Sequence, residues 1–373
     1  MKSKLRAGII GAGFIAKVHA RAIRNSGNEL VAIASSTPES AASVAESFGI
    51  QKVFNTWQEL VESPEVDVVH ICTPNELHAE IAIAAAKANK HIVCEKPISV
   101  NLEEAIEVEA TVDASGVGFA VPFAYRFYPI VREMRARLLK GEAGPVHLMH
   151  GNYLQDWLAE PTSDNWRVNS VSGGKSRAFA DVGTHWCDLM EFVTGDRISS
   201  LIAQTAKAYQ ERNGEKVQTE DIANILFETV GGATGSLTVS QVSPGRKNQL
   251  LLEVDGASAS YTFNQEKPDS LLVGSTQTNQ IITPGNETLS SADGKRLSHL
   301  PSGHPQGYQD VFNNFISDAY EGFQGNPVEG VPGLQDGLRS AALIEAVLRS
   351  AESKSWVDVR NTSSKTTSKM LAS

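Results

Sequence analysis

The feature that most constrains the fold is a glycine-rich turn that directly follows a short apolar run near the start of the chain. Residues 5–10 lead into Gly11-Ala12-Gly13-Phe14-Ile15-Ala16, and residues 17–25 are compatible with a helix. A G-x-G-x-x-A turn between a strand and a helix directs unpaired backbone N–H groups, and the positive end of the helix dipole, at a phosphate. The motif predicts dinucleotide binding, with contacts from Gly11, Gly13, Phe14, Ile15 and Ala16.

Each small residue in this turn has a physical reason. Gly11 permits the tight turn, Gly13 lets the backbone approach a pyrophosphate, and Ala16 allows close helix packing. A glycine-rich turn also occurs without any ligand, and the basic start of residues 1–16 followed by an apolar stretch is similar to a signal peptide. The glycines at positions 8, 11 and 13 would break the helix that a signal peptide needs, so a strand and a phosphate loop fit better.

Apolar runs then alternate with helix-compatible stretches. Runs at 30–34, 66–72 and 91–94 have the length of buried strands, and stretches at 39–48 and 81–88 have the composition of helices. Gly49 marks the end of one helix, and Asn101 followed by acidic residues marks the start of another. The alternation predicts an α/β fold in which residues 1–121 form a doubly wound parallel sheet of the Rossmann type.

The end of the second apolar run bears on the choice of dinucleotide. Residues 35–38 read Ser-Ser-Thr-Pro, where an NAD-specific fold usually carries an acidic residue for the ribose hydroxyls. No arginine or lysine follows within the next several residues to bind the additional phosphate of NADP. We expect Ser35 and Ser36 to contact the cofactor, and NAD and NADP both remain possible.

Length and charge exclude several classes of protein. A chain of 373 residues exceeds the size at which one core is usual, so two domains are expected. The 33 Lys and Arg residues are scattered among 43 Asp and Glu residues, which argues against a nucleic-acid partner.

Three separated cysteines without a CxxC pair indicate a reducing compartment. Apolar residues 81–86 fall well short of the roughly 18 that a membrane span needs, so we expect a cytoplasmic protein without membrane contact.

The pattern changes after residue 121. A helix is predicted over 130–140, and strands are predicted over 221–230, 233–242, 249–254 and 258–263. Helices are predicted again over 307–320 and 333–351, whereas 264–306 is too rich in turn-forming residues to place. Residues 122–360 are expected to form an α+β domain with a large, mainly antiparallel sheet and helices on one face. Residues 361–373, rich in Ser, Thr and Lys, are expected to be disordered.

Three further motifs make the functional interpretation of this two-domain chain more specific. Thr73-Pro74-Asn75-Glu76-Leu77-His78 and Cys94-Glu95-Lys96-Pro97 each follow a predicted strand, and Asp181-Val182-Gly183-Thr184-His185 lies in the second domain. In open α/β sheets, ligands bind at the carboxyl ends of strands. In order and spacing, these motifs and the glycine turn closely resemble the Gfo/Idh/MocA oxidoreductases, the family of glucose-fructose oxidoreductase and inositol dehydrogenase. The resemblance covers residues 5 to about 355.

The resemblance implies a function and an assembly. It implies an NAD(P)-dependent dehydrogenase that transfers hydride between nicotinamide and a secondary or anomeric hydroxyl of a sugar, anhydrosugar or cyclic polyol. It also implies a cis bond before Pro97, C-terminal helices that pack on the nucleotide domain, and an open sheet face that pairs with a partner subunit in a homodimer or homotetramer. Two alternatives remain: a redox-neutral enzyme of the family that cleaves glycosidic bonds, and a dinucleotide-dependent sensor without catalysis.

The resemblance further implies that Lys96, Asp181 and His185 are catalytic. An ammonium such as that of Lys96 stabilises negative charge developing on a substrate oxygen. His185 would take the hydroxyl proton, and Asp181 would orient the imidazole or bind a neighbouring hydroxyl. The alternatives are a surface lysine that neutralises Glu95, a capping aspartate with a buried histidine, and a metal pair completed by Asp188. We expect no metal, since a catalytic metal normally takes three protein ligands.

Other candidates follow from the same resemblance. Polar and aromatic side chains of the second domain suit a carbohydrate, whose hydroxyls need hydrogen bonds and whose C–H faces stack on rings. Tyr153 and Trp157 fit a hydrophobic core equally well, and His19 receives no role. The candidate cofactor contacts outside the glycine turn are Ser35, Ser36, Thr73, Pro74, Asn75, His78, Glu95, Lys96, Trp166 and Arg167. The candidate substrate contacts are Lys96, Tyr125, Arg126, Tyr153, Gln155, Asp156, Asp181 and His185.

Overall fold

The computed structural model describes residues 4–163 and 165–360 of the chain. The chain divides into two compact units. The first comprises the chain up to Ala124 together with Tyr308–Ala341, and the second comprises Tyr125–Gly307 and the chain from Ala342 onwards. None of the helices in this described part is long and apolar enough to cross a membrane. The predicted disorder of residues 361–373 concerns residues outside the described ranges.

The first unit is built on a parallel sheet of six strands. In chain order the strands are β1 (Arg6–Ile10), β2 (Glu29–Ala34), β3 (Lys52–Val53), β4 (Val68–Ile71), β5 (His91–Cys94) and β6 (Phe119–Ala120). The helices among them are α1 (Phe14–Asn25), α2 (Pro38–Phe48), α3 (Trp57–Glu62), α4 (His78–Lys87) and α5 (Leu102–Ser115). The spatial order β3-β2-β1-β4-β5-β6 is that of doubly wound dinucleotide-binding folds, so the predicted fold is confirmed.

This strand order reverses the winding direction between β1 and β4. The loops that begin at Gly11 and Cys72 therefore leave the same edge of the sheet side by side, where open α/β sheets bind ligands. The loop that begins at Glu95 leaves the same edge, because β5 is parallel to β4 and in register with it. The topology thus brings the glycine turn and the motifs after β4 and β5 to one edge.

Local sequence signals set the start of one helix and the end of another in the first unit as predicted, whereas a third helix begins earlier than predicted. Asn101 accepts a hydrogen bond from the backbone N–H of Glu104 at 2.8 Å and so caps the start of α5. Gly49 has a φ of +53° and ends α2 in the left-handed conformation. Helix α4 begins at His78, before the predicted residue 81, because the short turn Asn75–Leu77 leads directly into it.

The second unit is built on a mixed sheet of nine strands. Its elements in chain order are α6 (Pro129–Leu139), β7 (Val146–Leu154), α7 (Thr184–Thr194), β8 (Ile198–Ala206), the ribbon β9 (Glu211–Arg212) and β10 (Glu215–Lys216), β11 (Ile222–Thr229), β12 (Thr234–Ser240), β13 (Gln249–Gly256), β14 (Ser260–Asn264), β15 (Leu271–Gly274), β16 (Asn279–Ile282) and α8 (Ala292–Leu297). The chain continues with α9 (Tyr308–Phe323), α10 (Leu334–Ser353) and β17 (Val357–Asp358). Helix α9 belongs to the first unit, where Gln309 donates a hydrogen bond to the Val18 carbonyl of α1 at 3.1 Å.

The sheet of the second unit has the order β16-β15-β14-β13-β7-β12-β11-β8-β17. Strands β7 and β12 are parallel, and the other neighbouring pairs are antiparallel, so the predicted mainly antiparallel sheet is confirmed. Side chains alternate between buried and accessible along β11, as expected when one face is covered. Helix α7 packs on β7 and β13. The segment 264–306, which the sequence left unplaced, contains β15, β16 and α8.

Candidate active site

The glycine turn after β1 has the shape that its sequence predicts. Gly11 has a φ of +119°, and a Cβ there would overlap the carbonyl oxygen of Cys72, so glycine is required. A Cβ at Gly13 would meet nothing within 4 Å in the described part of the chain. Gly13 and Phe14 are exposed, Ile15 is half-buried and Ala16 is buried. The backbone at the start of α1 is therefore accessible to a phosphate, at the positive end of the helix.

The loop after β2 carries neutral hydroxyl groups. Ser35 is half-buried, and its Oγ accepts a hydrogen bond from the Ser40 hydroxyl at 2.9 Å. Ser36 is exposed. Hydroxyls of this kind form hydrogen bonds with a ribose hydroxyl, but they bring no positive charge to a phosphate.

The loop after β4 contains a buried polar atom that calls for a further partner. The Oγ1 of Thr73 is buried, and among the described residues it has no hydrogen-bond partner. Pro74 is half-buried and Asn75 is buried. Because an unsatisfied buried hydroxyl is costly, a ligand that hydrogen-bonds Thr73 would be stabilising. The accessible glycine turn and this hydroxyl, at one edge of the sheet, fit the binding of a dinucleotide.

Lys96 lies in a segment that a buried histidine ties to the neighbouring loop. The Lys96 side chain is half-buried, and the Lys96–Pro97 bond is cis, as expected. The His78 ring has its Nδ1 2.7 Å from the carbonyl oxygen of Pro97 and its Nε2 2.9 Å from that of Thr73. Burial lowers the pKa of His78, although the two carbonyl groups oppose the shift. The His78 ring thus joins the loops after β4 and β5, and its predicted contact with the cofactor stays a prediction.

The carboxyl group of Glu95 also contacts buried groups of the first unit. Its Oε1 lies 3.1 Å from Nε2 of His19, and its Oε2 accepts a hydrogen bond from the backbone N–H of Lys96 at 3.3 Å. Glu95 is only 9% exposed. These contacts show that Glu95 is part of the buried structure and not simply a surface acid opposite a surface lysine.

Asp181, in the second unit, lies in a π-helical turn, Phe179–Gly183, that runs directly into α7. Its Oδ2 accepts a hydrogen bond from the side-chain amide of Gln241 at 2.6 Å, and its Oδ1 is 3.4 Å from Nε of Arg167. The stretch is helical, and its wider first turn is of a type that is frequent at functional sites. Two donors from different segments therefore hold the carboxylate.

His185, in the first turn of α7, packs against two tyrosines. Its ring centroid is 5.1 Å from that of Tyr125 and 6.4 Å from that of Tyr153. The two tyrosine hydroxyls are 2.6 Å apart, Tyr153 donates to Oδ1 of Asn248 at 2.7 Å, and the Asn248 amide donates to the Tyr125 hydroxyl at 3.2 Å. Because the Tyr153 proton goes to Asn248, Tyr125 donates to Tyr153, and the three groups close a ring of hydrogen bonds. Burial raises the pKa of Tyr125, which keeps this ring neutral.

Gln155 extends the tyrosine network, whereas Asp156 does not. The Gln155 amide donates to Oδ1 of Asn248 at 2.9 Å, and its oxygen accepts from the Trp157 indole at 2.8 Å. Asp156 accepts a hydrogen bond from the Lys247 ammonium at 2.6 Å, and that bond lowers the pKa of Asp156. The structure thus uses Asp156 to hold the loop before β13, and its predicted substrate contact stays a prediction.

Arg126 and Asp188 form a buried ion pair. Nε of Arg126 is 2.8 Å from Oδ2 of Asp188, and a second guanidinium nitrogen contacts the other carboxylate oxygen. The guanidinium also lies over the ring of Phe192, 4.8 Å from its centroid. Asp188 is therefore engaged elsewhere than in a metal pair with Asp181 and His185. Within residues 4–163 and 165–360, no group of three metal-binding side chains occurs.

Trp166 and Arg167 lie on a short helical turn, Trp166–Val168. Asn165 caps this turn by accepting a hydrogen bond from the Arg167 backbone N–H at 3.1 Å. The Arg167 guanidinium lies over the Trp166 ring, 4.4 Å from its centroid, and also reaches Asp181. A residue predicted to contact the cofactor is therefore next to a residue predicted to be catalytic.

Two residues of the site, Gln241 and Asn248, belong to none of the sequence motifs. Gln241 directly follows β12, and Asn248 directly precedes β13. Both strands flank β7. The fold therefore brings Gln241 to Asp181, which is 60 residues earlier in the chain, and Asn248 to Tyr153, which is 95 residues earlier. No local motif encodes such pairing. A polar residue at the end of a predicted strand was the signal that could have drawn attention to Gln241.

Comparison with known proteins gives the family. A family model described as an oxidoreductase family with an NAD-binding Rossmann fold matches residues 5–123. The model of the GFO/IDH/MocA C-terminal domain matches residues 131–262. Levoglucosan dehydrogenase of Pseudarthrobacter phenanthrenivorans is 31% identical, over 95% of this chain and 98% of the relative. The chain belongs to the Gfo/Idh/MocA oxidoreductase family.

Solved structures of family members agree with this assignment. A levoglucosan dehydrogenase in complex with NADH and levoglucosan has a TM-score of 0.90 and 31% identity, over 96% of this chain and 100% of that one. An inositol dehydrogenase homologue from Azotobacter vinelandii, in complex with NAD+, has a TM-score of 0.87 and 26% identity, over 96% and 98%. As a member of the Gfo/Idh/MocA family, this chain is an oxidoreductase with an NAD-binding domain, and the resemblance drawn from its motifs is confirmed.

Proposed function

We propose that this oxidoreductase is an NAD-dependent dehydrogenase that acts on a secondary or anomeric hydroxyl of a sugar, anhydrosugar or cyclic polyol. The observation that carries the proposal is the cluster of Tyr125, Tyr153 and Asn248 beside His185. Neutral hydroxyl and amide groups next to aromatic faces suit a ligand with many hydroxyls and apolar C–H faces. Relatives of this chain are named as dehydrogenases of levoglucosan and of inositol, which are compounds of this chemical class.

We assign the proton transfer to the second unit. Oxidation of an alcohol removes a hydride from carbon and a proton from oxygen, and NAD, when bound, supplies the hydride acceptor. The imidazole of His185 takes the proton, a role that typically contributes roughly 10²- to 10⁴-fold to the rate. Asp181, held by Gln241 and Arg167, orients the imidazole or binds a neighbouring substrate hydroxyl.

We assign to Lys96 the stabilisation of negative charge on the substrate oxygen. A donor aimed at a developing oxyanion typically contributes roughly 10²- to 10³-fold to the rate. The position of Lys96 after β5, at the ligand-binding edge of the parallel sheet, supports this role. His78 and Glu95 support it by positioning the segment that carries Lys96.

We infer that NAD is the preferred dinucleotide. The neutral hydroxyls of Ser35 and Ser36 provide hydrogen bonds but no charge compensation for the additional phosphate of NADP. In this proposal the first unit binds the cofactor and the second unit binds the substrate.

The three buried free cysteines, Cys72, Cys94 and Cys187, fit the reducing compartment that a cytoplasmic enzyme occupies.

We further propose that the accessible face of the large sheet joins copies of this chain in a homodimer or homotetramer. One row of paired residues crosses that face as Ile202, Leu226, Ser236, His150, Glu253, Thr262, Leu272 and Ile281. Leu226 is 54% exposed and Ile281 is 71% exposed. Neighbouring large apolar side chains that are accessible on one face of a sheet mark an interaction surface.

The test is the change in nicotinamide absorbance when the purified chain is mixed with NAD or NADP and a panel of inositols, aldoses and anhydrosugars. We expect NADH to form with at least one compound, and NADP to support a slower reaction with the same compound. Absence of any reaction while NAD binding is measurable by fluorescence would overturn the proposal. Cleavage of a glycoside without net NADH formation would favour the redox-neutral alternative instead.

A further inference from the structure

Three buried polar side chains of the first unit form a hydrogen-bonded chain that ends at Glu95. The hydroxyl of Tyr320, in α9, is 2.8 Å from Nε2 of His70, in β4. Nδ1 of His70 is 2.8 Å from Nδ1 of His19, in α1, and Nε2 of His19 is 3.1 Å from Oε1 of Glu95. Both histidines are 0% exposed and Tyr320 is 2% exposed. We call His19, His70 and Tyr320 the histidine chain; the roles assigned above do not use it.

The contacts of the histidine chain allow an arrangement in which all its hydrogen bonds run in one direction. A carboxylate accepts, so His19 donates from Nε2 to Glu95. When Nδ1 of His19 is the acceptor, His70 donates from its Nδ1, and its Nε2 accepts the proton of Tyr320. Every donor then points towards Glu95.

The surroundings of the chain keep two of its members neutral. Burial holds the pKa of His70 well below its usual range. Burial also holds the pKa of Tyr320 well above its usual range. A buried row of hydrogen-bonded groups with all its donors aligned stabilises negative charge at the acceptor at its end.

Glu95, the acceptor at the end of the histidine chain, is adjacent to Lys96 in sequence. One oxygen of Glu95 takes the hydrogen bond from His19, and the other accepts the backbone N–H of Lys96 at 3.3 Å. On the other side of Lys96, the carbonyl of Pro97 is held by His78. The backbone of the Lys96 segment is therefore fixed from both sides by buried histidines.

We propose that His19, His70 and Tyr320 are positioning residues, which hold Glu95 as an oriented carboxylate and thereby set the position of Lys96. The inference rests on the proposed function, in which the Lys96 ammonium acts on the substrate oxygen. Loss of the His19 donor releases one oxygen of Glu95, and the other oxygen then no longer holds the backbone N–H of Lys96 in a fixed direction. The histidine chain acts on the chemical step and leaves the glycine turn, and so NAD binding, unchanged.

The experiment compares His19→Leu, His19→Gln and Tyr320→Phe in the full chain. Glutamine places an amide donor near the position of the histidine Nε2, so His19→Gln keeps the bond to Glu95 while leucine removes it. His91→Leu is the matched control, because His91 is also a hydrogen-bonded histidine of the first unit, accepting from the Gly118 N–H at 2.9 Å and stacking on Phe323. Each variant is measured for kcat, KM, NAD affinity by fluorescence and thermal unfolding.

We expect His19→Leu to lower kcat by roughly 10- to 100-fold, the size found for groups that orient an active-site side chain. The dissociation constant of NAD stays within about twofold of the wild-type value, and His19→Gln recovers most of kcat. Equal kcat values for His19→Leu and His91→Leu would overturn the inference. If His19→Leu does not fold, Tyr320→Phe decides: a fall of kcat by a few-fold supports the inference, and an unchanged kcat overturns it.

A second readout does not depend on catalysis. Lys96 is labelled with trace acetic anhydride in the protein without substrate, and its rate is compared by mass spectrometry with that of exposed Lys87. We expect the relative rate at Lys96 to change severalfold in His19→Leu, because the segment that carries Lys96 is no longer held in one position, and to return to the wild-type value in His19→Gln. An unchanged rate overturns the inference even if the wild-type enzyme is active. An inactive wild-type chain overturns the proposed function, and the labelling then still tests whether the histidine chain acts on Lys96.

Discussion

The carboxylate of Asp181 accepts a hydrogen bond of 2.6 Å from the side-chain amide of Gln241, which is 60 residues further along the chain. Gln241 is fully buried, and its own backbone N–H donates to the carbonyl of Asp221 at 3.1 Å. The backbone of Gln241 is therefore fixed before any ligand binds. In the proposed mechanism, this bond determines which way the Asp181 carboxylate faces.

Replacement of Gln241 tests this relationship. We expect Gln241→Leu to lower kcat/KM by about 10- to 100-fold, since a hydrogen bond to a charged group is worth about 1.5–3 kcal/mol. Steady-state kinetics with the best substrate of the panel measures the effect. Gln249→Leu is the control, because Gln249 donates to Asn152 in the same sheet at 3.3 Å without touching Asp181. Equal effects of the two substitutions would contradict the role of Gln241.

The two glycines of the phosphate turn are expected to respond differently to alanine. Gly11→Ala forces a side chain into a φ of +119° and against Cys72, so the free energy of unfolding falls by at least about 1–3 kcal/mol. Gly13 has a φ of -74° and open space around its Cβ position, so Gly13→Ala changes stability by less than about 1 kcal/mol. Both variants bind NAD more weakly. Denaturant unfolding and NAD titration separate the effects, and unchanged NAD affinity in Gly13→Ala would argue against a phosphate at this turn.

Arg126 is expected to contribute to stability more than to substrate binding. Removing one partner of a buried ion pair typically costs about 3–5 kcal/mol, because the other charge remains buried. We therefore expect Arg126→Met to lower the free energy of unfolding by about 3 kcal/mol, and the double variant with Asp188→Leu to recover part of it. Denaturant unfolding measures both. If Arg126→Met kept full stability while KM rose more than tenfold, Arg126 would instead be a substrate contact.

Charged substitutions on the accessible face of the large sheet are expected to break the proposed homodimer or homotetramer. Leu226→Asp and Leu272→Asp place carboxylates at apolar positions of the row that crosses this face. If the face joins subunits, the substituted chain sediments as a smaller species, because a buried unpaired charge is unfavourable. Leu139→Asp is the control, since Leu139 is 53% exposed but lies in helix α6 and not in the sheet. An unchanged sedimentation coefficient would place the interface elsewhere.

Much of the first unit could be predicted from local signals in the sequence. The bounds of β5, the Asn101 cap and the Gly49 helix end all follow from residues a few positions apart. The position of the Lys96 segment followed as well, since consecutive parallel strands bring their following loops to one edge.

The contacts of individual site residues could not be predicted in the same way. Whether Arg126 faces a substrate or Asp188, and whether the His78 ring faces a ligand or two carbonyl groups, depends on residues that tertiary packing brings near. The partners Gln241 and Asn248 depend on strand order in a mixed sheet, which residue spacing does not encode. The sequence indicates no role for His19, because its partner His70 lies 51 residues away and Tyr320, the partner of His70, lies 250 residues further on.

The role of Lys96 is tested by the rate of NADH formation of the wild-type enzyme and of Lys96→Met, measured side by side with saturating NAD and the best substrate of the panel. Methionine keeps the length and apolar stem of lysine but removes its charge. We expect Lys96→Met to bind NAD normally and to lose roughly 10²- to 10³-fold in kcat or more, whereas Lys87→Met, on the exposed surface of α4, is unchanged. Near-normal turnover by Lys96→Met would contradict the assigned chemistry.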